Sequence, residues 1–236
     1  MITVADVIDI FNFPPYGCSR RLYYEKIGNP SHDACSINDE HHKKRITKLY
    51  GEVLADIYRQ TTKRKVRTPN FARFIDPEYP YIIADPDRLV TNIRGRAYLQ
   101  YVPLEIRILK RAEFYEIRRN GLAGNYYTYM MHHLMIGKTS KWAALALFCP
   151  DVMEMKTFDI AYDEVVAAEV IAGEKRFWEA VQTKNPLTSL KEERLCELCG
   201  YRHQCGDFLA EYTKEMKEKT ELCEEITQIN YYLDQI

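Results

Sequence analysis

The chain has 236 residues, 46% hydrophobic and 28% charged, with a formal net charge of -1. Such a chain can bury a full core, and its composition excludes disorder, collagen-like repeats and simple coiled coil. No apolar run approaches the ~20 residues of a membrane helix, and the opening MITVADVIDIFNFPPYG places two aspartates where a secretory signal would be apolar, so a cytoplasmic protein without a membrane partner is expected.

Taken in chain order, Asp6 to Phe13 reads as a short amphipathic helix stopped by Pro14-Pro15, and Arg20 to Ile27 as a second helix closed by Gly28. From His41 to Thr61, Ile46, Leu49, Val53, Leu54, Ile57 and Tyr58 recur at three- and four-residue steps, the period of a helix with one apolar face. The period then changes. Lys65–Phe74, Tyr81–Asp85, Arg88–Asn92 and Val102–Leu109 are short, apolar and bounded by Pro, Asp and Gly, which predicts strands of one mixed sheet. Tyr126–Gly137 follows as a helix. Trp142–Phe148 is a wholly apolar strand with Val152–Ala161 as its antiparallel neighbour, and Tyr162–Val181 is a further amphipathic helix. Pro186–Arg194 links to a cysteine-rich segment, and Phe208–Ile236 closes the chain as a charged helix.

The charge is unevenly spread. Lys43 to Arg73 holds ten basic residues against Glu52 and Asp56, whereas Glu192 to Glu225 holds ten acidic residues against five basic ones. The clusters Lys43-Lys44-Arg45, Lys63-Arg64-Lys65 and Arg118-Arg119 are candidates to follow a nucleic-acid backbone, and Tyr126, Tyr127 and Tyr129 either stack on unpaired bases or pack their own helix.

Seven cysteines in an intracellular setting do not predict disulfides. Cys196, Cys199 and Cys205 form C-x2-C-x5-C in LCELCGYRHQC, too polar a stretch for a core, so a metal site is expected. Two fourth ligands are open: His203, giving a closed structural zinc site, or Cys18 from YGCSRRLYYEKIG, giving a four-thiolate iron-sulfur site. Cys35, Cys149 and Cys223 read as ordinary buried thiols.

In IIADPDRLV and VPLEIRILK, Asp87 stands at a strand end, and Glu105 and Arg107, two apart, share one face of the next strand. Converging carboxylates suit a hard divalent ion such as magnesium, and the arginine suits a phosphate. Pro86-Asp87 with Glu105-Ile106-Arg107 resembles the PD-(D/E)xK nuclease superfamily. The run from SRRLYYEKIG through EYPYIIADPDRLV, PLEIR, YYTYMMHHLMIG and KWAALALF to EKRFWEAV is similar to its YqaJ-type viral recombinase exonucleases, relatives of lambda exonuclease. Cys18 with Cys196, Cys199 and Cys205 resembles a second branch, the RecB-like nucleases of CRISPR adaptation and the AddB type, whose four cysteines bind a 4Fe-4S cluster.

The resemblance implies an α/β, restriction-endonuclease-like fold: a mixed central sheet flanked by helices over residues 1–190, then an iron-sulfur segment and C-terminal helix over 191–236. It implies a magnesium- or manganese-dependent DNA exonuclease in recombination, repair or CRISPR-type DNA processing, with a protein partner from those processes and an oligomer in view. Asp87 and Glu105 would be metal ligands, with the Ile106 carbonyl as third, and the acid or histidine of the first motif would be Glu52, with alignment at Ala55 or at His41 or His42 as the alternatives. Arg107 stands where lysine is usual, and the helix at Tyr126–Gly137 offers Thr128, Met130, His132 and His133 where glutamine is expected. Arginine stays protonated and cannot act as a base. A catalytically degenerate subunit that binds DNA or a partner is the alternative, and a zinc-stabilised binding protein the second.

Overall fold

A computed structural model describes residues 1–13, 17–29, 37–69, 74–91, 101–136, 140–187, 196 and 199–205, with the backbone alone at 37–49, 101 and 203. Its centre is the apolar run WAALALFC, the strand Trp142–Cys149. Ala143, Leu145, Leu147 and Cys149 enter one apolar cluster, and Ala144, Ala146 and Phe148 enter another on the opposite face. A strand covered on both sides has no need of polar positions, so the two-residue period disappears from its hydropathy.

The elements before it are helices α1 (Asp6–Ile10), α2 (Ser19–Lys26) and α3 (Ile37–Thr62), then strands β1 (Lys65–Arg67), β2 (Phe74–Ile75), β3 (Ile83–Ala84), β4 (Arg88–Thr91) and β5 (Tyr101–Ile108). Helices α4 (Arg111–Asn120) and α5 (Gly124–Met135) lead into the central strand, β6, which is followed by β7 (Glu154–Ala161), α6 (Glu164–Thr183) and a 3-10 turn at Arg202–Gln204. Five strands form one sheet in the order β1-β4-β5-β6-β7; only the β5–β6 pair is parallel, and β2 and β3 form a separate ribbon. The parallel pair needs a crossover, which α4 and α5 provide.

Leu54, Ala55 and Tyr58 of α3 close the cluster on one face, while α5 and α6 close the other with Met130, Leu134, Ala167 and Val170. Helix α5 is buried on every side from Tyr129 to Met135, because it lies between the sheet and α6. Helix α6 begins two residues beyond the expected Tyr162, since the Asp163 carboxylate caps it by accepting from the Val165 and Val166 amides at 2.9 and 3.1 Å. Gly173 lets the N-terminal segment approach α6: a Cβ there would lie 2.4 Å from Phe11 Cζ. Ile2 pairs with Ile82 as an isolated parallel bridge, tying the start of the chain to the ribbon that leads to Asp87.

Two expectations change. The stretch Lys65–Phe74 is not one strand: β1 and β2 belong to different sheets. Helix α4 was not expected, because only Phe114 and Ile117 of its ten residues are buried, too few for a periodic signal. Cys35, Cys223 and the expected helix Phe208–Ile236 lie outside the described residues. No helix among the described residues is long and apolar enough to cross a membrane.

Candidate active site

Glu105 and Arg107 project from β5 toward α5, whereas Leu104 and Ile106 project into the cluster under α3. Asp87 immediately precedes β4, whose Arg88 is in register with Leu104, so the turn places Asp87 beside Glu105. The two acids interlock through the main chain: the Asp87 amide donates to Glu105 Oε1 at 3.2 Å, and the Ile106 amide donates to Asp87 Oδ2 at 2.8 Å.

This crowding marks both groups. Burial and then the like charge of Glu105 raise the Asp87 pKa to about 6, against the Ile106 amide, Arg107 and Arg88, which lower it. Burial would raise Glu105 too, but His133, Arg107 and the Asp87 amide outweigh it and leave its pKa lowered. His133 Nε2 lies 2.9 Å from Glu105 Oε1, without an aligned hydrogen bond. The Tyr129 hydroxyl donates to Glu105 Oε2 at 2.9 Å, and Arg107 Nη2 stands 3.3 Å from the same oxygen with its guanidinium over the Tyr129 ring.

Beneath this layer, His132 is fully buried, with Nδ1 2.6 Å from Glu174 Oε1 and Nε2 2.8 Å from the Ile83 carbonyl. Consecutive histidines on α5 thus serve two neighbours, one holding Glu105 and the other joining α6 to β3. Sequence reasoning saw these histidines only as residues standing in for a glutamine. Their signal was their place in the stretch Tyr129–Met135, whose other members are Tyr, Met and Leu.

Other candidates fall elsewhere. Glu52 is exposed on α3, which packs on the opposite face of the sheet from Glu105, and it is the preceding Gly51 that approaches Arg88, 3.7 Å from a built Cβ to Nη2. Tyr129 is buried and holds Glu105, so it does not present a face to bases; Tyr126 donates to Glu113 at 2.7 Å, and Tyr127 is exposed.

Arg64 is likewise committed inside the protein. It forms a two-pronged pair with Asp159 at 2.6 Å, bonds Tyr58 Oη at 3.0 Å and stacks over Trp142. Arg118 pairs with Glu154 at 2.9 Å in an exposed bridge, while Lys63, Lys65 and Arg119 are exposed. The Lys43, Lys44 and Arg45 side chains lie outside the described residues. Arg64→Ala is expected to cost about 1–3 kcal/mol in denaturant unfolding; an unchanged midpoint would show that the pair with Asp159 adds nothing to stability.

Helix α2, which Cys18 precedes, meets the distant cysteine segment. Tyr24 of α2 stacks on Tyr201 and donates to the Gln204 carbonyl at 2.7 Å, while Asn29 reaches the Gln204 side chain. Burial first, then Cys199 and the charges of Cys18 and Cys196, push the Cys205 thiol up to about 11, with Arg20 acting against them. Cys199 is also raised, by burial and then by Cys18 and Cys196, with the Tyr201 amide and Arg21 opposing. Cys199 and Cys205 pack against the cluster that Leu22, Tyr23 and Tyr24 of α2 enter. Even so, no three His, Cys, Asp or Glu side chains among the described residues stand close enough together to hold a metal ion. The His203 side chain lies outside the described residues, and Cys149 is buried in the sheet, away from this cluster.

Residues 1–140, which contain Cys18, the acid pair, Arg107 and all of α5, match the YqaJ-like viral recombinase domain. The chain belongs to that family. No curated protein matches it significantly. Among solved structures, this YqaJ-like domain is similar to an alkaline exonuclease, LHK-Exo, from Laribacter hongkongensis, at 15% identity and a TM-score of 0.55 over 78% of this chain and 89% of that one. LHK-Exo in complex with dAMP gives 16% identity and a TM-score of 0.56 over 78% of this chain and 88% of that one. At such identities the likeness establishes the fold, which is the mixed sheet flanked by helices expected from the sequence.

Proposed function

We propose that this YqaJ-like domain is a magnesium- or manganese-dependent DNA exonuclease that hydrolyses phosphodiester bonds. The observation that carries this reading is the interlocked pair of Asp87 and Glu105, two buried carboxylates at one sheet position with Arg107 on the same face. Burial and then the like charge of Glu105 raise Asp87, and a divalent cation would relieve that repulsion, so the oxygen donors suit a hard ion, with the Ile106 carbonyl as third donor. When bound, the metal would polarise the scissile phosphate and lower the pKa of an attacking water.

Around it, Asp87 and Glu105 fix the ligand geometry, Tyr129 and His133 hold the Glu105 carboxylate, and Arg107 offsets charge developing on the phosphate. Arg107 takes no proton. Support for DNA as substrate comes from the alkaline exonuclease that shares the fold and from dAMP in one of its structures. Recombination, repair or CRISPR-type processing, with a protein partner from those processes, is the corresponding setting.

The test is degradation of end-labelled single- and double-stranded DNA by anaerobically purified protein with magnesium or manganese, beside Asp87→Ala. Metal-dependent cleavage lost in the variant is expected. Salt-sensitive binding without cleavage by either protein would replace the nuclease with a degenerate binding subunit.

For the cysteines we infer a structural 4Fe-4S cluster on Cys18, Cys196, Cys199 and Cys205, joining residues 191–236 to the nuclease domain of residues 1–190. The packing of Cys199 and Cys205 against α2, which Cys18 precedes, favours it, and Arg20 and Arg21 beside them would stabilise an anionic thiolate centre. Cluster binding would then contribute folding energy. Cys18→Ala and Cys199→Ala are each expected to give colourless, less soluble protein by visible absorbance. A colourless wild type carrying one zinc would favour the Cys196, Cys199, His203 and Cys205 site.

A further inference from the structure

Glu105 is engaged by four groups at once. Oε1 receives the Asp87 amide at 3.2 Å and faces His133 Nε2 at 2.9 Å; Oε2 receives the Tyr129 hydroxyl at 2.9 Å and faces Arg107 Nη2 at 3.3 Å. An ionised carboxylate offers about four lone-pair directions; the Asp87 amide and the Tyr129 hydroxyl fill two of them with hydrogen bonds, while His133 and Arg107 crowd the remaining approaches without one. A cation that binds Glu105 competes with these neighbours for its oxygens.

They are not equally replaceable. His133 and Tyr129 are buried, and the Asp87 amide is main chain fixed by a turn. Arg107 makes the longest of the four contacts, its side chain is 39% exposed, and its guanidinium lies 4.6 Å from the Tyr129 ring centroid, a resting place that does not depend on Glu105. A phosphate also offers the guanidinium two oxygens in its own plane, a better match than one oxygen at 3.3 Å.

We propose that Arg107 occupies Glu105 in the resting site and exchanges partners when substrate arrives, so that a phosphate of the nucleic acid takes the guanidinium and the divalent cation takes the freed carboxylate oxygen. Arg107 is then a positioning residue that couples metal binding to DNA binding. The coupling is reciprocal, with each ligand tightening the other by the same factor. The inference rests on the nuclease reading above and deepens it.

The test is titration of Mn2+, read from the electron paramagnetic resonance of the free ion, into the full chain with and without a phosphorothioate DNA that resists cleavage. Wild type, Arg107→Gln and Asp87→Asn are compared after thermal melts confirm that each is folded. Without DNA, Arg107→Gln is expected to bind Mn2+ about tenfold more tightly than wild type, because a competing positive charge has gone. DNA should tighten Mn2+ about tenfold in wild type and hardly at all in Arg107→Gln. Equal or weaker Mn2+ binding by Arg107→Gln, or the same response to DNA in both proteins, would overturn the exchange while leaving an Asp87-dependent metal site standing. Mn2+ binding that Asp87→Asn does not weaken would overturn the metal site and the exchange together.

Discussion

Asp87→Asn is expected to abolish metal-dependent cleavage and to make the protein more stable. In the unfolded chain Asp87 ionises near 3.8, and in the folded protein burial and Glu105 push it up to about 6. Between those values the folded state holds the extra proton, so stability falls as pH rises, and above about 6 the full penalty of the charged form is present. An asparagine keeps an acceptor for the Ile106 amide and removes the charge. At pH 7.5 the gain is on the order of 2–3 kcal/mol, which for a domain of this size raises Tm by about 5 °C. The gain should vanish near pH 3.5. Thermal melts of both proteins at the two pH values check this, and a variant less stable at pH 7.5 would mean that the acid pair is not strained. Such opposition between stability and activity is what a preassembled acidic site produces.

The largest loss of stability is expected from His132→Ala. Both ring nitrogens face acceptors, the Glu174 carboxylate and the Ile83 carbonyl, in a fully buried place. Burial alone would lower the imidazole pKa, but the attraction of Glu174 and both hydrogen bonds leave it raised above 6.5. Removing the ring strands Glu174 inside the protein, where its Oε2 already has no hydrogen-bond partner among the described residues. Breaking one side of a buried charge pair costs about 3–5 kcal/mol, read as the shift of the urea midpoint. His132→Ala combined with Glu174→Gln should recover part of the loss. The raised imidazole stabilises fully below pH 6.5, and its contribution is lost as pH rises through the folded pKa, so the cost of His132→Ala should shrink in alkaline solution. Because Ile83 lies on β3, four residues before Asp87, the variant should lose cleavage as well. Unaltered stability would show that the pair is neutral in the folded protein.

Much of the site was legible because its members are local or share a simple period. Glu105 and Arg107 are two residues apart on a strand, so their common face follows from the pleat, and the Pro86-Asp87 turn announces itself beside an apolar strand. The wholly apolar run Trp142–Cys149 announced a strand covered on both faces. The spacing of Cys196, Cys199 and Cys205 likewise marks one locality without reference to the rest of the chain.

The misreadings come from contacts between distant residues. Arg64 looked like one member of a basic cluster, yet its partner is Asp159, ninety-five residues on, and no local pattern distinguishes an arginine bound for a carboxylate from one bound for a phosphate. For Tyr129 the sequence left base stacking and helix packing open, and the placement of α5 between the sheet and α6 decided for packing. Glu52 stands next to Gly51, and one residue on a helix turns a side chain through about 100°, enough to separate an exposed acid from the line that meets Arg88.

By itself, then, the sequence determined the strongly periodic elements, the face of β5 that carries Glu105 and Arg107, and the metal-type spacing of the cysteines, because strand and helix periods are properties of the local backbone. Only the tertiary structure decided that His133 and Tyr129 hold Glu105, that His132 joins Glu174 to β3, and that Tyr24 of α2 meets Gln204, 180 residues away. Those pairings are chosen by which faces the packing buries together, and a buried polar group takes the partner that the assembled fold supplies.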